Sequence, residues 1–316
     1  MFVSYYISKD SIEYKFSDME KTQSLSLPSN VQFLGFAGKN MIFTSSRDSL
    51  VVLNLINAAF TSYPQNIRNA RFFPAMTDKK NSTTNTYYAN CIIKNKNTVR
   101  FNGEDDIQAY SEMLTQHLSD DCIAKIEISN GNLQIDTLLC GFTKKHIFKN
   151  KGYGNYLLGI EDFGDSLCIF SPYSDSIFFY NKHTAKLNVY KIKSKMKSIS
   201  LELAPFDLLK NPSEFSKACS ERILYGSSIS DIERNFNNED YYVFITHAVS
   251  KENTNQWGKN RKWNWLVYKN NKLVAEQEYN GSLNPSVLII ADDTIMIEND
   301  AYEKDIAGFT AFCISD

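Results

Sequence analysis

One short unit recurs along the chain and narrows what it can fold into: an apolar run, a polar turn ending in Asp-Ser, and a second apolar run. Three copies align without gaps, at residues 4–14, 42–52 and 169–179, around Asp10-Ser11, Asp48-Ser49 and Asp175-Ser176. The second and third agree further, with Asn54 matching Asn181 and Ala58 matching Ala185 at one offset. Self-similarity of this size marks architectures in which each unit is covered by the next. Each copy reads as a β-meander. Asp and Ser suit its corner because their side chains bond backbone amides that a turn leaves without partners, which is a structural role.

Other stretches repeat the pattern. Residues 123–129 and 133–139 flank the turn Asn130-Gly131-Asn132, and residues 263–268 and 273–279 flank Lys269-Asn270-Asn271-Lys272. Short strands joined by Asn, Gly and Lys turns predict an all-β protein, and recurrence of one meander selects a β-propeller of six blades, with seven as the alternative. Two short helical insertions interrupt it. Residues 104–118 place Ile107, Tyr110, Met113, Leu114 and His117 on one face, and Asn211-Pro212-Ser213-Glu214 opens a segment to Ile223 with an N-cap and a first-turn proline. Neither reads as a separate domain, so residues 1–316 are expected to form a single propeller. The strand count predicts three strands before Pro28, four full blades to Tyr279 and two or three strands after it.

The 316 residues include 43% hydrophobic, 13% aromatic and 22% charged side chains, enough for a large core. A net charge of −2 offers no field for a phosphate backbone, so no nucleic-acid partner is expected. No apolar stretch approaches the roughly 20 residues of a membrane-spanning helix, and residues 1–6 lack a basic, then apolar, leader pattern. Cys91, Cys122, Cys140, Cys168, Cys219 and Cys313 are scattered without a CxxC pair, and read as buried thiols within apolar runs such as Leu138-Leu139-Cys140. No metal or cofactor is expected.

At this point the chain resembles the six-bladed, NHL-like β-propeller lipoproteins of unknown function of Bacteroidetes. The resemblance rests on Val31-Gln32-Phe33-Leu34-Gly35-Phe36, the Ser174-Asp175-Ser176-Ile177 hairpin, Glu239-Asp240-Tyr241-Tyr242-Val243-Phe244, Trp265-Leu266-Val267-Tyr268 with Ala275-Glu276, and Asp293-Thr294-Ile295-Met296-Ile297. The family carries an arginine after its paired tyrosines where this chain has Val243, and it begins with a lipoprotein signal. The resemblance implies a cell-envelope protein, in the periplasm or at the outer membrane, that begins later than its relatives and lacks their first strand and signal. A cytoplasmic location stays open. It also implies O-glycan acceptors at Asp-Ser/Thr-aliphatic triplets such as Asp165-Ser166-Leu167, although turn chemistry explains these equally.

No catalytic residue is assigned. Glu104, Asp105 and Asp106 read as an acidic helix start, and Glu239 with Asp240 as a solvated turn. His117, His146, His183 and His247 are far apart in sequence, and there is no GxSxG elbow or phosphate loop. Lys191, Lys193 and Lys195 alternate along a predicted edge strand, and Lys144, Lys145, Lys149 and Lys151 cluster around His146. The segment 257–265 interleaves aromatic, basic and amide residues; Trp263 and Trp265 share one strand face and read as core. Trp257 and Arg261 on its loop, with Tyr241 and Tyr242, are the candidate ligand-binding residues. The expected function is non-catalytic binding or scaffolding of a protein or glycan, with a carbohydrate-active hydrolase or lyase as the alternative.

Overall fold

The computed structural model describes residues 3–16, 21–45, 49–64, 70–73, 85–93, 120–129, 131–148, 158–172, 174–194, 211, 213–218, 228–234, 241–246, 262–280, 283–291, 294–299 and 309–313. It is almost entirely β. Six sheets are built from strands consecutive in the chain, four of them four-stranded. The first holds β1 (Val3–Ile7), β2 (Ser11–Phe16) and β3 (Gln23–Ser26); the second β4 (Val31–Ala37), β5 (Asn40–Ser45), β6 (Ser49–Asn54) and β7 (Ala59–Pro64). The third holds β8 (Ala70–Phe73), β9 (Thr86–Ile93), β10 (Asp121–Ser129) and β11 (Asn132–Leu138). The fourth holds β12 (Gly159–Asp162), β13 (Ser166–Phe170), β14 (Ser176–Asn181) and β15 (Leu187–Lys191). The fifth holds β16 (Ser228–Arg234), β17 (Tyr241–Thr246), β18 (Lys262–Lys269) and β19 (Lys272–Asn280), and the last β20 (Leu283–Ala291), β21 (Thr294–Asn299) and β22 (Phe309–Cys313). Consecutive four-stranded antiparallel meanders are blades, and the fold class is the all-β propeller that the repeat predicted. The strand count divides at Pro28 and Tyr279 as expected.

The chain forms two compact units, Met1–Asn95 with Cys122–Leu139, and Lys96–Asp121 with Cys140–Asp316. In the first, Ile12, Tyr14 and Phe16 pack on Phe36, Met41 and Phe43, joining the first sheet to the second. Leu34, Ile42 and Val52 pack on Phe72, Tyr87 and Ile126, joining the second to the third. In the second unit, Cys168, Phe170 and Ile177 pack on Ile232, Tyr241 and Leu266 across the fourth and fifth sheets. Last strands carry little of this load. No residue of β7 or β15 is buried, consistent with an outer edge that carries Lys191.

The Asp-Ser repeat corresponds to one geometry. Ser11, Ser49 and Ser176 each open a strand, β2, β6 and β14. The Asp10 carbonyl accepts from the Leu27 amide at 2.9 Å and the Asp175 carbonyl from the Ile192 amide at 2.7 Å, seventeen residues downstream in both cases. The expected amide bonds come instead from the preceding serines: Ser8 Oγ accepts from the Ser11 amide and Ser174 Oγ from the Ser176 amide, both at 3.1 Å. These matches align β1–β3 with the last three strands of the four-stranded sheets.

The paired asparagines are equally informative. Asn54 Oδ1 accepts from the amides of Ile56 and Asn57, at 3.0 and 3.3 Å, and Asn181 Oδ1 from those of His183 and Thr184, at 3.1 and 2.8 Å. Both turns then pass through an alanine in the left-handed region, Ala58 at φ 54° and Ala185 at φ 55°. The hairpin between β18 and β19 turns on Asn270 and Asn271, both at positive φ, the backbone of a type I′ turn.

Gly35 explains its own place in the sequence. A Cβ there would stand 2.3 Å from the Tyr87 ring, whose hydroxyl donates to the Leu34 carbonyl at 2.5 Å. The ring of one sheet thus lies on bare backbone of the next, where β4 shifts register between Phe33 and Gly35.

One expectation changes. Cys91, Cys122 and Cys168 are buried free thiols, but Cys140 is exposed, because Leu139 at φ 51° ends the strand and turns the chain outward. Of the two insertions, residues 104–118 lie outside the described residues; the other is a helix over 213–218, capped by Asn211 Oδ1 accepting from the Glu214 amide at 3.3 Å.

Gly35→Ala is expected to lose about 2–3 kcal/mol of stability through overpacking against Tyr87, read by chemical denaturation; a loss within error would show that the ring can move aside. Ala58→Gly and Ala185→Gly act in the opposite direction. Relief of a left-handed alanine, about 1–2 kcal/mol, exceeds the added unfolded-chain entropy of about 0.4–1 kcal/mol, so each should raise the melting temperature.

Candidate functional site

The site begins with a turn. Between β12 and β13, Asp162 Oδ1 accepts from the Gly164 amide at 2.9 Å and Gly164 takes φ 75°, which turns the chain and sets Phe163 to one side. The turn before β15 clamps this one: Lys182 donates its amide to the Asp165 carbonyl at 2.9 Å and pairs its ammonium with Asp162. His183 Nε2 lies 3.2 Å from Asp165 Oδ1, both largely exposed.

Beside these turns the fourth and fifth sheets leave a cleft of about 380 Å³. Its walls are Phe163, Gly164, Asp165 and Ser166 from the first turn, Phe179, Asn188 and Tyr190 from β14 and β15, and Arg234, Tyr241 and Asn271 from the fifth sheet. The rings form one cluster. Phe163 and Phe179 lie 5.4 Å apart, Phe179 contacts Tyr190 and Tyr241, each at 5.6 Å, and Tyr241 stacks on Tyr268 at 5.0 Å. The Arg234 guanidinium sits over the Phe163 ring at 5.6 Å, and a Cβ on Gly164 would stand 3.2 Å from its Nη1.

Tyr241 is 2% exposed and donates its hydroxyl to Asn271 Oδ1 at 3.2 Å. Burial, reinforced by Cys168, Tyr268 and Tyr190, pushes its phenol well above the ordinary value and keeps it a donor. Tyr268 is raised too, mainly by burial, and its oxygen accepts from the Lys193 amide at 3.2 Å.

Of the four sequence-predicted ligand residues, the structure brings Tyr241 to the cleft as part of its wall. Tyr242 pairs with Glu233 and Val267 in the ladder, and its side chain is outside the described residues, as are Trp257 and Arg261. Trp265 is buried, as expected; the Trp263 side chain lies outside the described residues. Sequence reasoning missed Arg234, Phe163 and Tyr190. The Asn270-Asn271 turn was the available signal, since it sets Asn271 against Tyr241.

A topologically equivalent cleft of about 570 Å³ opens between the second and third sheets, lined by Asn40, Asn54, Asn57, Thr61, Tyr63 and Asn85 among others. Its asparagines hold one another: Asn54 Nδ2 donates to Asn40 Oδ1 at 3.2 Å, and Asn57 Oδ1 accepts from the Ala59 amide.

Glu104, Asp105, Asp106, Glu239, Asp240, His117 and His247 lie outside the described residues. His183 is a turn residue, and His146 packs its ring on Phe142 and Phe178 at 4.9 and 5.8 Å. Among the described residues no three His, Cys, Asp or Glu side chains converge as metal ligands. Acidic side chains do enter the interior: Glu161 on β12 and Asp231 and Glu233 on β16 are buried. Burial first, then the charges of Glu161 and Asp231, hold the Cys168 thiol well above its ordinary pKa, which is the reverse of what a thiolate nucleophile needs.

Asp121 is a buried carboxyl whose titration is displaced. It opens β10, and its Oδ2 accepts from the Thr143 amide at 3.0 Å where residues Thr143–Phe148 begin a π-helical turn. Burial pushes its pKa up to about 6, partly offset by the hydrogen bonds to Thr143 and added to by Asp120.

No family model matches the sequence, and no curated protein does. Among solved structures the chain is similar to a member of the DUF4221 family from Bacteroides vulgatus, with 11% identity and a TM-score of 0.56 over 98% of this chain and 94% of that one. It also aligns with an oligogalacturonate lyase in complex with manganese, at 9% identity and a TM-score of 0.47 over 93% and 66% of the two chains. BamB from Moraxella catarrhalis aligns at 8% identity and 0.38 over 92% and 77%. The first likeness is one of fold, and the other two are too distant to bear on function.

Because folding raises the Asp121 pKa, the protonated form favours the folded state. That stabilisation is complete below about pH 4 and lost as the pH rises through about 6. Asp121→Asn should therefore be more stable than the parent at pH 8 by on the order of 1–2 kcal/mol, with the gap closing by about pH 4. A gap that is constant across denaturation curves from pH 4 to 8 would contradict it.

Proposed function

We propose that the protein is a non-catalytic binding or scaffolding propeller that holds a protein or glycan ligand in the cleft between its fourth and fifth sheets. One observation carries this reading. Side-chain groups that need partners, the Arg234 guanidinium, the Asn188 amide and the Tyr190 hydroxyl, line a cleft that also presents the rings of Phe163, Phe179 and Tyr241. A concave site in which polar side chains converge beside aromatic rings can fix the orientation of a ligand. Trp257, Arg261 and Tyr242 stand in this proposal as further ligand-binding residues. In this proposal the six sheets are the six blades of a lipoprotein-like, NHL-like propeller of the cell envelope, in the periplasm or against the outer membrane.

Screening on glycan and peptide arrays tests the binding reading. A ligand found with the intact protein should lose about tenfold or more in affinity with Tyr190→Ala plus Asn188→Ala, because two wall contacts are removed together, and should weaken with Trp257→Ala. Signals unchanged in the double variant would discard the cleft, and those unchanged in Trp257→Ala would discard the loop.

A second reading, a carbohydrate-active hydrolase or lyase, draws on Glu161 and Asp231, buried carboxyls that both act on Cys168. It requires that polysaccharide cleavage be detectable and be abolished by Glu161→Gln or Asp231→Asn.

A further inference from the structure

We infer that the ligand of this cleft is an acidic saccharide whose carboxylate pairs with Arg234; the inference rests on the cleft being the binding site. It starts from a charge left over. The β12–β13 turn brings two carboxylates to the cleft's edge, and each already has a cationic or ionisable neighbour. Asp162 is held by Lys182, and Asp165 lies 3.2 Å from His183. No carboxylate among the described residues pairs with Arg234, whose contact is the face of Phe163. A guanidinium does not shed its proton in a protein, so in a partly enclosed site it favours an anion. The Phe163 face holds the guanidinium beside the cleft, and its planar fork of donors can take a carboxylate through two parallel hydrogen bonds. Gly164 makes room for that fork, since a side chain there would press on Nη1.

The remaining lining fits a sugar. The Asn188 amide and the Tyr190 and Ser166 hydroxyls make no side-chain hydrogen bond among the described residues. Each of them both donates and accepts, as sugar hydroxyls do. The rings of Phe179 and Tyr190 offer apolar faces on which the C–H face of a pyranose can rest. These groups come from two sheets and face one cavity, which suits a compact ring bearing hydroxyls on all sides better than an extended peptide.

Calorimetric titration of the whole chain tests this with three probes: galacturonate and glucuronate oligosaccharides, their neutral galactose and glucose counterparts, and a peptide with a free C-terminal carboxylate. The acidic oligosaccharides should bind about tenfold or more tightly than the neutral ones, and added salt should erode that difference. Arg234→Gln, checked for an unchanged melting temperature, should bring the acidic sugars down to the neutral level, and Arg234→Lys should restore part of the loss. Equal binding of acidic and neutral sugars, or indifference to Arg234→Gln, would overturn the carboxylate pairing and leave the cleft as a neutral-glycan site. Binding of the peptide alone would overturn the saccharide class. Failure of all three probes would remove the inference, while the binding reading falls only if the array signals are also unchanged in Tyr190→Ala plus Asn188→Ala.

Discussion

A four-stranded meander buries its faces only if a neighbouring sheet closes them, and in this protein buried tyrosines do the closing with both ends of the side chain. The Tyr87 ring lies on the bare backbone at Gly35 while its hydroxyl satisfies the Leu34 carbonyl. Tyr14 bonds the Leu55 carbonyl at 3.2 Å, reaching from the first sheet to the chain that leaves β6. Tyr268 receives the Lys193 amide on the way into the fifth sheet. A buried carbonyl left without a partner costs about 1–3 kcal/mol, so phenylalanine could fill the same volume and still be the poorer residue. The phenol makes each sheet contact specific in register as well as favourable in area.

Once the sheets are held this way, their ends become the variable part. Meander turns have to resolve their own backbone donors locally, and here they do so with a small set of devices: serine on a strand-opening amide, asparagine on two successive amides, and left-handed residues at Ala58, Ala185, Asn270 and Asn271. Such turns are short and internally bonded, so they hold side chains at fixed positions. Both clefts occur at these ends, each between successive sheets, and they differ by what the turns carry. In one, asparagines are spent largely on each other and on the backbone; in the other, aromatic rings and an arginine face the opening.

The repeat in the sequence foretold the strands because strand and turn chemistry are local. Asn54 with Asn181 and Ala58 with Ala185 were visible as letters, and they fall on superposable turns because the same side chain makes the same two amide bonds. The site was legible only in part. Tyr241 stood out as one of a tyrosine pair, yet nothing in its neighbourhood announced that Phe163 would carry Arg234. That pairing depends on two sheets meeting, and a single arginine at the end of β16 is indistinguishable in sequence from a solvated one. Buried Asp231 and Glu233 escaped for a related reason. β16 slips register between Ile229 and Asp231, so simple alternation misassigns which residues turn inward.

The clamped turns also bear on how tightly the fourth–fifth sheet cleft could hold a guest. Lys182 binds the neighbouring turn through its backbone and its ammonium at once, so Phe163 and Gly164 are fixed before any ligand arrives. On the other wall, Tyr241 is locked between Tyr268 and Asn271. Binding costs about 0.5–1.5 kcal/mol for each flexible side chain that must be immobilised, and most of that cost has been met here by folding. Arg234 is the long side chain whose freedom is already reduced by an aromatic face rather than by an ion pair. Its charge is therefore positioned and still uncommitted, the combination a recognition site requires and a purely structural arginine, paired with its own carboxylate, would lack.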